Sequence, residues 1–306
     1  MEQDSHARLT FSNPWDMAVV VRDIDNTVKR LEALGIGPFT TPQAPSGAEG
    51  LFFHGKPLIS NSRALITRLG DMQLEVIQPD DKPNPWKEFL NARGEGIHHI
   101  GFQVNDVEKE VNRLTSLGAE VPFFGKISGK IGAAYVDLKI ANMFMELTSF
   151  SDMEQDSPAK LTFTHLVHIG VVVRDMNHTI DRLNALGLGP FKPRILPSDA
   201  QEKYRGKPFI PSQRVAIQTA QIGSKELELI QPIAGESPHQ EFLDQKGEGI
   251  QHLGFIVDNL EEDINHLTAE GSSILLTSQF KGGGGVAYLD LDAAGLIVEL
   301  VQPGSR

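Results

Sequence analysis

The chain repeats itself along almost its whole length, and this duplication limits the possible folds more than any other feature. Val19-Val20-Val21-Arg22-Asp23 recurs as Val171-Val172-Val173-Arg174-Asp175, and Gly94-Glu95-Gly96-Ile97 recurs as Gly247-Glu248-Gly249-Ile250. The near-constant spacing of these copies indicates tandem duplication of a unit of about 150 residues. We therefore expect two domains of similar fold, covering residues 5–150 and 158–303, with a polar linker over 150–160.

Composition narrows the classes of function. A chain of 306 residues with 40% hydrophobic content can bury two cores. The formal net charge of −12 argues against binding to nucleic acid or to anionic membranes. Because the chain has no cysteine, any metal ion must be held by nitrogen and oxygen ligands. A polar N-terminus and the lack of a long apolar stretch predict a soluble, cytoplasmic protein.

Each unit contains a second, weaker repeat. In the second unit, the run from His168 to Asp175 is echoed by the run from His252 to Asn259. Both runs are rich in β-branched residues and predict buried strands, and each is followed by an amphipathic helix, over 175–186 and 259–269. Further strands are predicted over 213–219, 226–230, 286–291 and 296–301. The pattern of strand, helix and then two or three strands occurs four times, so we predict an α+β fold in which modules pair to close their cores.

Four polar residues of the second unit stand at matched places in this inner repeat. His168 and His252 each open the first strand of a half, whereas Glu228 and Glu299 each lie within the last strand of a half. A carboxylate in an apolar strand is costly unless it is paired or bound to a cation. Two imidazoles and two carboxylates suit a divalent ion, and the two acids would neutralise its charge. The repeat therefore predicts a metal site, although any one of these residues alone could be an ordinary polar side chain.

These motifs resemble the vicinal oxygen chelate superfamily, most closely its methylmalonyl-CoA epimerase and glyoxalase-like branch. The resemblance is carried by four segments of the second unit: His168 to Asp175, Glu226 to Pro232, Gly247 to Phe255 and Gly295 to Leu300. It implies four βαβββ modules, paired into two domains with cupped mixed sheets, and a divalent metal cofactor bound by His168, Glu228, His252 and Glu299. The ligands do not distinguish zinc, nickel, cobalt, manganese, magnesium and iron.

The first unit departs from the family pattern. The equivalent residues there are Asp16, Glu75, His99 and Glu146, so an aspartate replaces the first histidine. Three carboxylates overcompensate a divalent charge, and the aspartate side chain is shorter than an imidazole. A second metal site for a harder ion is one interpretation. The one we favour is a degenerate site in a domain that serves as scaffold.

Other side chains have candidate roles around the second site. Alternation along Arg214 to Gln218 predicts that Arg214 and Gln218 face the cup, where Arg214 would bind an anionic substrate group; a surface ion pair is the other interpretation. Tyr288 is a candidate proton donor or a packed aromatic residue. The resemblance suggests Glu202, in the loop before Tyr204, as the catalytic base. The remaining histidines, including His239, have no partner in the repeat and are treated as ordinary.

Three functions are compatible with these features. The favoured one is a metal-dependent epimerase, isomerase or lyase that stabilises an enolate of a small-molecule substrate. An extradiol-type Fe(II) dioxygenase is the second, but Glu228 adds a ligand and the histidine expected shortly before Tyr288 is absent. The third is a non-catalytic ligand-sequestering protein of the bleomycin-resistance type. Single-unit relatives pair through their sheets, and fusion can supply that contact internally, so a homodimer is left open.

Overall fold

Each half of the chain forms one large mixed β-sheet, which confirms the predicted α+β class. The computed structural model describes residues 14–149, 165–195, 201–281 and 283–304. The predicted linker over 150–160 and the predicted domain ends at residues 5 and 158 lie outside this described part of the chain. Below, the first lobe is the described part of residues 14–149, and the second lobe is the described part of residues 165–304.

The first lobe has a nine-stranded sheet in the order β3-β2-β7-β8-β9-β6-β1-β5-β4. Its elements are β1 (Pro14–Val20), α1 (Ile24–Ala33), β2 (Ala48–Phe53), β3 (Lys56–Leu58), β4 (Arg63–Leu69), β5 (Met72–Gln78), α2 (Pro85–Arg93), β6 (Gly96–Gln103), α3 (Val107–Ser116), β7 (Glu120–Ile127), β8 (Lys130–Asp137) and β9 (Phe144–Thr148).

The second lobe repeats this arrangement with ten strands in the order β11-β14-β15-β10-β16-β19-β18-β17-β12-β13. Its elements are β10 (His165–Val172), α4 (Met176–Leu186), β11 (Lys192–Pro193), β12 (Gln201–Tyr204), β13 (Lys207–Phe209), β14 (Val215–Ile222), β15 (Lys225–Pro232), α5 (Pro238–Lys246), β16 (Gly249–Ile256), α6 (Leu260–Ala269), β17 (Ser273–Gln279), β18 (Gly285–Asp290) and β19 (Ile297–Gln302).

The two modules of a lobe pair through their first strands. β10 and β16 are antiparallel neighbours at the centre of the second sheet, and each has a parallel partner on its other side, β15 and β19 respectively. The β12–β13 hairpin belongs to the first module but pairs with β17 of the second. This exchange curls the sheet into a cup whose walls come from both modules. The two central strands and their parallel partners form the floor.

The helices begin and end where the sequence signals predict. Asp175 caps α4 by accepting a hydrogen bond from the amide of His178, and Asn259 caps α6 in the same way. Gly187 ends α4 in the left-handed conformation, with φ of 94°. α5 begins at Pro238 and follows a Ser237 cap, which the sequence reading did not include. None of the described helices is long and apolar enough to cross a membrane.

The apolar residues on the two faces of each sheet belong to separate clusters. One continuous core joins both lobes and includes residues of α1, α3, α4 and α6 together with one face of each sheet. The cup faces carry smaller separate clusters. In the second lobe this cluster consists of Tyr204, Phe209, Leu276 and Tyr288. The larger cluster of the first lobe contains residues of α2, which therefore packs on the cup side.

The lobes contact each other through pseudo-symmetric arginines. Arg30 of α1 donates to the carbonyl of Leu291 at 3.2 Å, and Arg182 of α4 donates to the carbonyl of Leu138 at the same distance. Lys225 of the second lobe is 2% exposed and its Nζ lies 2.7 Å from Oδ1 of Asp71 in the first. The shared core and these polar contacts hold the duplicated halves together as one unit.

Candidate metal centre

The four predicted ligands of the second lobe meet at the floor of the cup. Oε2 of Glu299 lies 2.8 Å from Nε2 of His168 and 3.2 Å from Nε2 of His252, and the two Nε2 atoms are 3.2 Å apart. Oε2 of Glu228 lies 3.5 Å from the first imidazole and 3.7 Å from the second. All four residues are buried. Side chains from four strands therefore aim one atom each at a common point.

The spacing of these atoms fits a divalent ion. Ligand atoms held about 2.1 Å from a first-row ion lie roughly 3.0–3.4 Å from one another, depending on the geometry. The observed separations of 2.8 to 3.7 Å bracket that range. Two carboxylates balance the charge of the ion, and the two imidazoles favour a transition metal. The cluster thus matches a metal site in both geometry and chemistry.

Two glycines make room for the imidazoles. Gly170 is the cross-strand partner of His252, and Gly254 is the cross-strand partner of His168. A Cβ on either glycine would lie 2.0 Å from Cε1 of the imidazole opposite. Each ring therefore lies flat over the neighbouring strand, which brings its Nε2 to the common point.

A β-bulge supplies the partner that orients His252. The register shifts between Gly170 and Val171, which leaves Gln251 as the extra residue of β16. Oε1 of Gln251 lies 3.3 Å from Nδ1 of His252 and 2.7 Å from Nδ1 of His239. An imidazole that donates from Nδ1 has a free lone pair on Nε2, as a metal ligand requires. Gln251 therefore favours the tautomer of His252 that can bind an ion.

His239 belongs to this site, although the sequence reading treated it as ordinary. Its ring is 4% exposed and lies edge-on to Tyr288, with 5.6 Å between the ring centroids. Burial is the main cause that lowers its pKa to about 4, so the ring is neutral. Its position on α5 has Trp86 as its counterpart on α2. The sequence offered one signal for this role, because a histidine stands at this position only in the lobe that has all four ligands.

Two further side chains hold the carboxylates. The hydroxyl of Tyr288 donates to Oε2 of Glu299 at 2.7 Å. Nε of Arg194, which the sequence reading missed, lies 3.2 Å from Oε1 of Glu228, and its guanidinium also pairs with Glu226. Oε1 of Glu228 is thereby engaged on one side while Oε2 faces the imidazoles. The arrangement leaves one oxygen of this carboxylate for an ion.

The ionisation of the cluster reflects close contact between acids and imidazoles. Burial alone would lower the pKa of His252, but the carboxylates of Glu228 and Glu299 outweigh burial and raise it to about 9. Burial would raise the pKa of Glu299, yet the two imidazoles lower it well below its usual value. The metal-free cluster therefore holds carboxylates and a protonated imidazole, so a cation has to displace a proton.

Glu202 faces the same cup. It lies two residues before Tyr204 on β12, and Tyr204 packs with Leu276 and Tyr288 on the cup face. Burial is the main cause that raises the pKa of Glu202 to about 7, and the charge of Glu299 adds to it. The structure therefore places this predicted base within electrostatic reach of the ligand cluster.

Arg214 and Gln218 do not reach the cup, and the prediction about their face was wrong. Gln218 is the cross-strand partner of Leu229, which is part of the helix-side core, whereas Thr219 is the partner of Glu228. Arg214 precedes the strand and its guanidinium donates to the carbonyl of Ala234 at 3.4 Å. Both faces of β14 carry apolar residues, so alternation alone could not distinguish them. This placement removes the basis for assigning either residue to substrate binding.

In the first lobe, three of the four equivalent residues come together. One ligand atom from each of Asp16, His99 and Glu146 lies within 4.8 Å of the others, and Glu75 is not part of this group. Gly101 leaves space for Asp16, since a Cβ there would lie 1.4 Å from Oδ1. Burial, followed by the charge of Glu146, raises the pKa of Asp16 well above its usual value.

At the equivalent positions, the rest of the first cup lacks the polar groups found in the second. The strand register puts Leu51 at the position of Glu202 and Ala18 at the position of Gly170. Pro42 stands two residues after the Thr40 bridge, where the second lobe has Arg194 after Lys192. Aromatic side chains fill the space, namely those of Trp86, Phe53, Phe123 and Tyr135.

A cavity of about 220 Å³ lies between the lobes, next to this region. It is lined by α2 and α5 and by the start of β6 and β16, with Phe89 and Arg93 from one lobe and Phe242 and Lys246 from the other. None of the four second-lobe ligands lines it. Its three cations are already engaged. Lys246 donates to the carbonyls of Arg93 and Glu95, Arg93 donates to the carbonyl of Glu248, and Arg205 pairs with Glu241.

Two cups of paired modules, one of them centred on a set of His and Glu ligands, define a vicinal-oxygen-chelate type of protein. The family model described as "Glyoxalase/Bleomycin resistance protein/Dioxygenase superfamily" matches residues 16–134 and 167–288. The chain belongs to this superfamily, and its tandem arrangement and fold are thereby confirmed.

Individual relatives are distant. The uncharacterized protein YqjC of Bacillus subtilis (strain 168) is 29% identical over 135 residues, covering 40% of this chain and 94% of the relative. A mutant of 4-hydroxymandelate synthase from Streptomyces coelicolor has a similar structure, with a TM-score of 0.61, 19% identity, and coverage of 96% of this chain and 94% of that one. Methylmalonyl-CoA epimerase from Mycobacterium tuberculosis matches with 22% identity and a TM-score of 0.38, covering 49% of this chain and 95% of the epimerase.

Proposed function

We propose that the second lobe is a divalent-metal-dependent enzyme that moves a proton on a small oxygenated substrate, as an epimerase, isomerase or lyase. The observation that carries this proposal is the convergence of His168, Glu228, His252 and Glu299, whose ligand atoms all lie within 4.8 Å of one another. This cluster faces a cup that also holds a candidate base, Glu202.

The protein's own residues support a proton-transfer reaction. Glu202 is the group that takes the proton from the carbon next to a carbonyl, and its pKa of about 7 matches the working range of a general base. The electron pair of the broken C–H bond moves onto the carbonyl oxygen. A bound divalent ion would act as a Lewis acid for that developing charge. Return of the proton gives epimerisation or isomerisation, and loss of a leaving group gives elimination.

The surrounding residues keep the ligands in place. Tyr288 holds Glu299 through its hydroxyl, and Gln251 fixes the tautomer of His252. Tyr204 and Leu276 form an apolar wall beside Glu202 and exclude water from the region where charge develops. Burial, with the neighbouring carboxylate of Glu299, raises the pKa of Tyr288 well above its usual value, so its hydroxyl stays protonated.

Deuterium exchange tests the reaction class without knowledge of the substrate. Protein loaded with Zn²⁺, Mn²⁺, Co²⁺ or Ni²⁺ is incubated in deuterium oxide with a panel of 2-methyl-branched acyl thioesters, 2-hydroxy ketones and 2-oxo acids. We expect deuterium to enter the carbon next to the carbonyl of at least one compound, as followed by NMR. The Glu202→Gln variant should retain metal and lose this exchange, whereas the Glu299→Ala variant should lose both.

An extradiol-type Fe(II) dioxygenase is the second candidate, and two contacts favour it. Arg194 engages one oxygen of Glu228. The other three residues, His168, His252 and Glu299, are the set of two imidazoles and one carboxylate found in many non-haem iron oxygenases. His239 supplies a buried neutral histidine beside Tyr288. Oxygen consumption by the Fe(II)-loaded protein with a catechol panel, in the absence of deuterium exchange, would replace the first proposal by this one.

A further inference from the structure

The first-lobe cluster of Asp16, His99 and Glu146 lies where the second lobe has three of its ligands. Nε2 of His99 is 3.5 Å from Oε2 of Glu146 and 3.9 Å from Oδ2 of Asp16. Asp16 and His99 are at most 1% exposed, and the side chain of Glu146 is 14% exposed. Two acids and one imidazole are thus gathered in an apolar cup.

Two atoms of this cluster are buried without a hydrogen-bond partner among the described residues. They are Oδ1 of Asp16, which lies against Gly101, and Nε2 of His99, which faces the carboxylates of Asp16 and Glu146. Leaving a buried polar atom unsatisfied is destabilising, and more so for a charged group. Such atoms are rare in folded proteins and call for a specific explanation. The buried Nε2 of His99, which faces two carboxylates without a hydrogen bond, indicates a missing partner at the centre of the cluster.

A shared proton does not provide that partner. A proton between Asp16 and Glu146 would relieve the repulsion between the two acids, but it would leave Nε2 of His99 unsatisfied. The other nitrogen of this imidazole is already engaged, since Nδ1 of His99 lies 2.8 Å from Nδ1 of His98. A cation at the centre would accept a lone pair from Nε2 of His99 together with one from the facing oxygen of each acid, Oδ2 of Asp16 and Oε2 of Glu146.

We propose that Asp16, His99 and Glu146 bind a divalent first-row transition-metal ion, in a structural site separate from the metal centre of the second lobe. Two carboxylates neutralise the double charge of the ion, so the bound site would have no net charge in its apolar surroundings. The imidazole favours a transition metal over magnesium or calcium.

The role of this site is structural because its cup lacks the groups that serve chemistry in the other lobe. Leu51 replaces the carboxyl of Glu202, and Trp86 replaces His239. The rings of Phe123 and Tyr135 stack at 4.5 Å between centroids beside Trp86, in the space above the cluster. The ion would stabilise the first lobe rather than bind substrate.

Metal stoichiometry tests this inference and separates it from the proposed function. Purified full-length protein is stripped with chelator, reloaded with Zn²⁺, desalted and measured by elemental analysis. We expect two equivalents in the wild type, one in His99→Ala, one in Glu299→Ala and none in the double variant. His54→Ala, which changes an exposed histidine paired with Glu88, is the matched control and should keep two.

Each other outcome has a defined meaning. One equivalent in the wild type that Glu299→Ala removes and His99→Ala retains overturns the inference and leaves the proposed function standing. One equivalent that only His99→Ala removes supports the inference and rejects the second-lobe centre. If His99→Ala does not fold by circular dichroism, Asp16→Asn replaces it, since this variant keeps the size of the side chain.

Stability provides a readout that does not depend on counting ions. In the Glu299→Ala background, Zn²⁺ should raise the thermal midpoint by several degrees, because an ion bound only to the folded state stabilises it. The same addition should have no effect in the double variant that also carries His99→Ala. Equal responses in both backgrounds would attribute the stabilisation to adventitious binding and overturn the inference.

Discussion

Gly170 lies directly beneath the ring of His252, and the first lobe has Ala18 at the same register position opposite His99. A Cβ on Gly170 would lie 2.0 Å from Cε1 of His252, closer than any real contact allows. The two lobes therefore differ in the space beneath the equivalent imidazole. The relationship yields the first testable prediction.

Gly170→Ala should weaken metal binding at the second lobe by at least tenfold, because the imidazole must swing away from the common point. The variant should still fold, since the first lobe accommodates an alanine at this position. Titration of the stripped protein with Zn²⁺, monitored by calorimetry, measures the change. Ala18→Gly is the matched control and should leave second-lobe affinity intact; unchanged affinity in Gly170→Ala would contradict the steric argument.

Gln251→Leu should impair both metal binding and stability. Nδ1 of His252 and Nδ1 of His239 would lose the amide oxygen that both contact. We expect the dissociation constant for the metal to rise about 10- to 100-fold. The free energy of unfolding should fall by about 1–3 kcal/mol. Urea unfolding of the stripped protein isolates the stability effect. Gln240→Leu, which removes an exposed side-chain contact with Asp244, should change neither quantity.

Metal affinity of the second lobe should rise with pH up to about 9. The carboxylates around His252 outweigh burial and raise its pKa to about 9, so the imidazole of the metal-free protein is protonated at neutral pH. A ligand imidazole must be neutral, hence each ion displaces about one proton. Calorimetric titrations at pH 7 in two buffers of different ionisation enthalpy should differ accordingly. Identical enthalpies in the two buffers would show that no proton leaves.

The rate of deuterium exchange should increase as pH rises through about 7. Burial raises the pKa of Glu202 to about 7, and only the carboxylate formed above that pH can accept a proton. Glu202→Gln should lower the rate by roughly 10²–10⁴, with metal content unchanged. Glu49→Gln, at an exposed position of the first lobe, serves as control and should retain the wild-type profile.

Asp71→Ala should destabilise the protein more than Lys225→Met does. The ammonium of Lys225 is buried and pairs with Asp71 across the lobe interface. Removing the acid leaves a buried charge without its partner, at a cost of about 1–3 kcal/mol or more. Replacing the lysine removes the charge together with the need for a partner. Denaturant unfolding of the two single variants and the double variant measures the difference, and a larger loss in Lys225→Met would reject this account.

Much of the fold and of the ligand set could be predicted from the sequence, because both are encoded by position within a repeat. The spacing of Val19 to Asp23 and Val171 to Asp175 identified the duplication, and Asp175 and Gly187 marked the ends of a helix that the structure confirms. Equivalent positions in repeated modules occupy equivalent places in the sheet, and in the second lobe this brings the four polar residues at those positions together. That reasoning does not require knowledge of any long-range contact.

Tertiary structure alone decided which side chains surround the ligands. Arg194 reaches Glu228 from the residue just after β11, and Gln251 faces His252 only because a bulge interrupts the register. His239 enters the cup from a helix outside the inner repeat. The face of β14 that carries Gln218 was fixed by its pairing with Leu229, since both faces of that strand carry apolar residues. A periodic pattern specifies alternation, whereas the packing of one strand against another specifies direction. For this reason the ligands follow from the sequence, and their environment follows only from the fold.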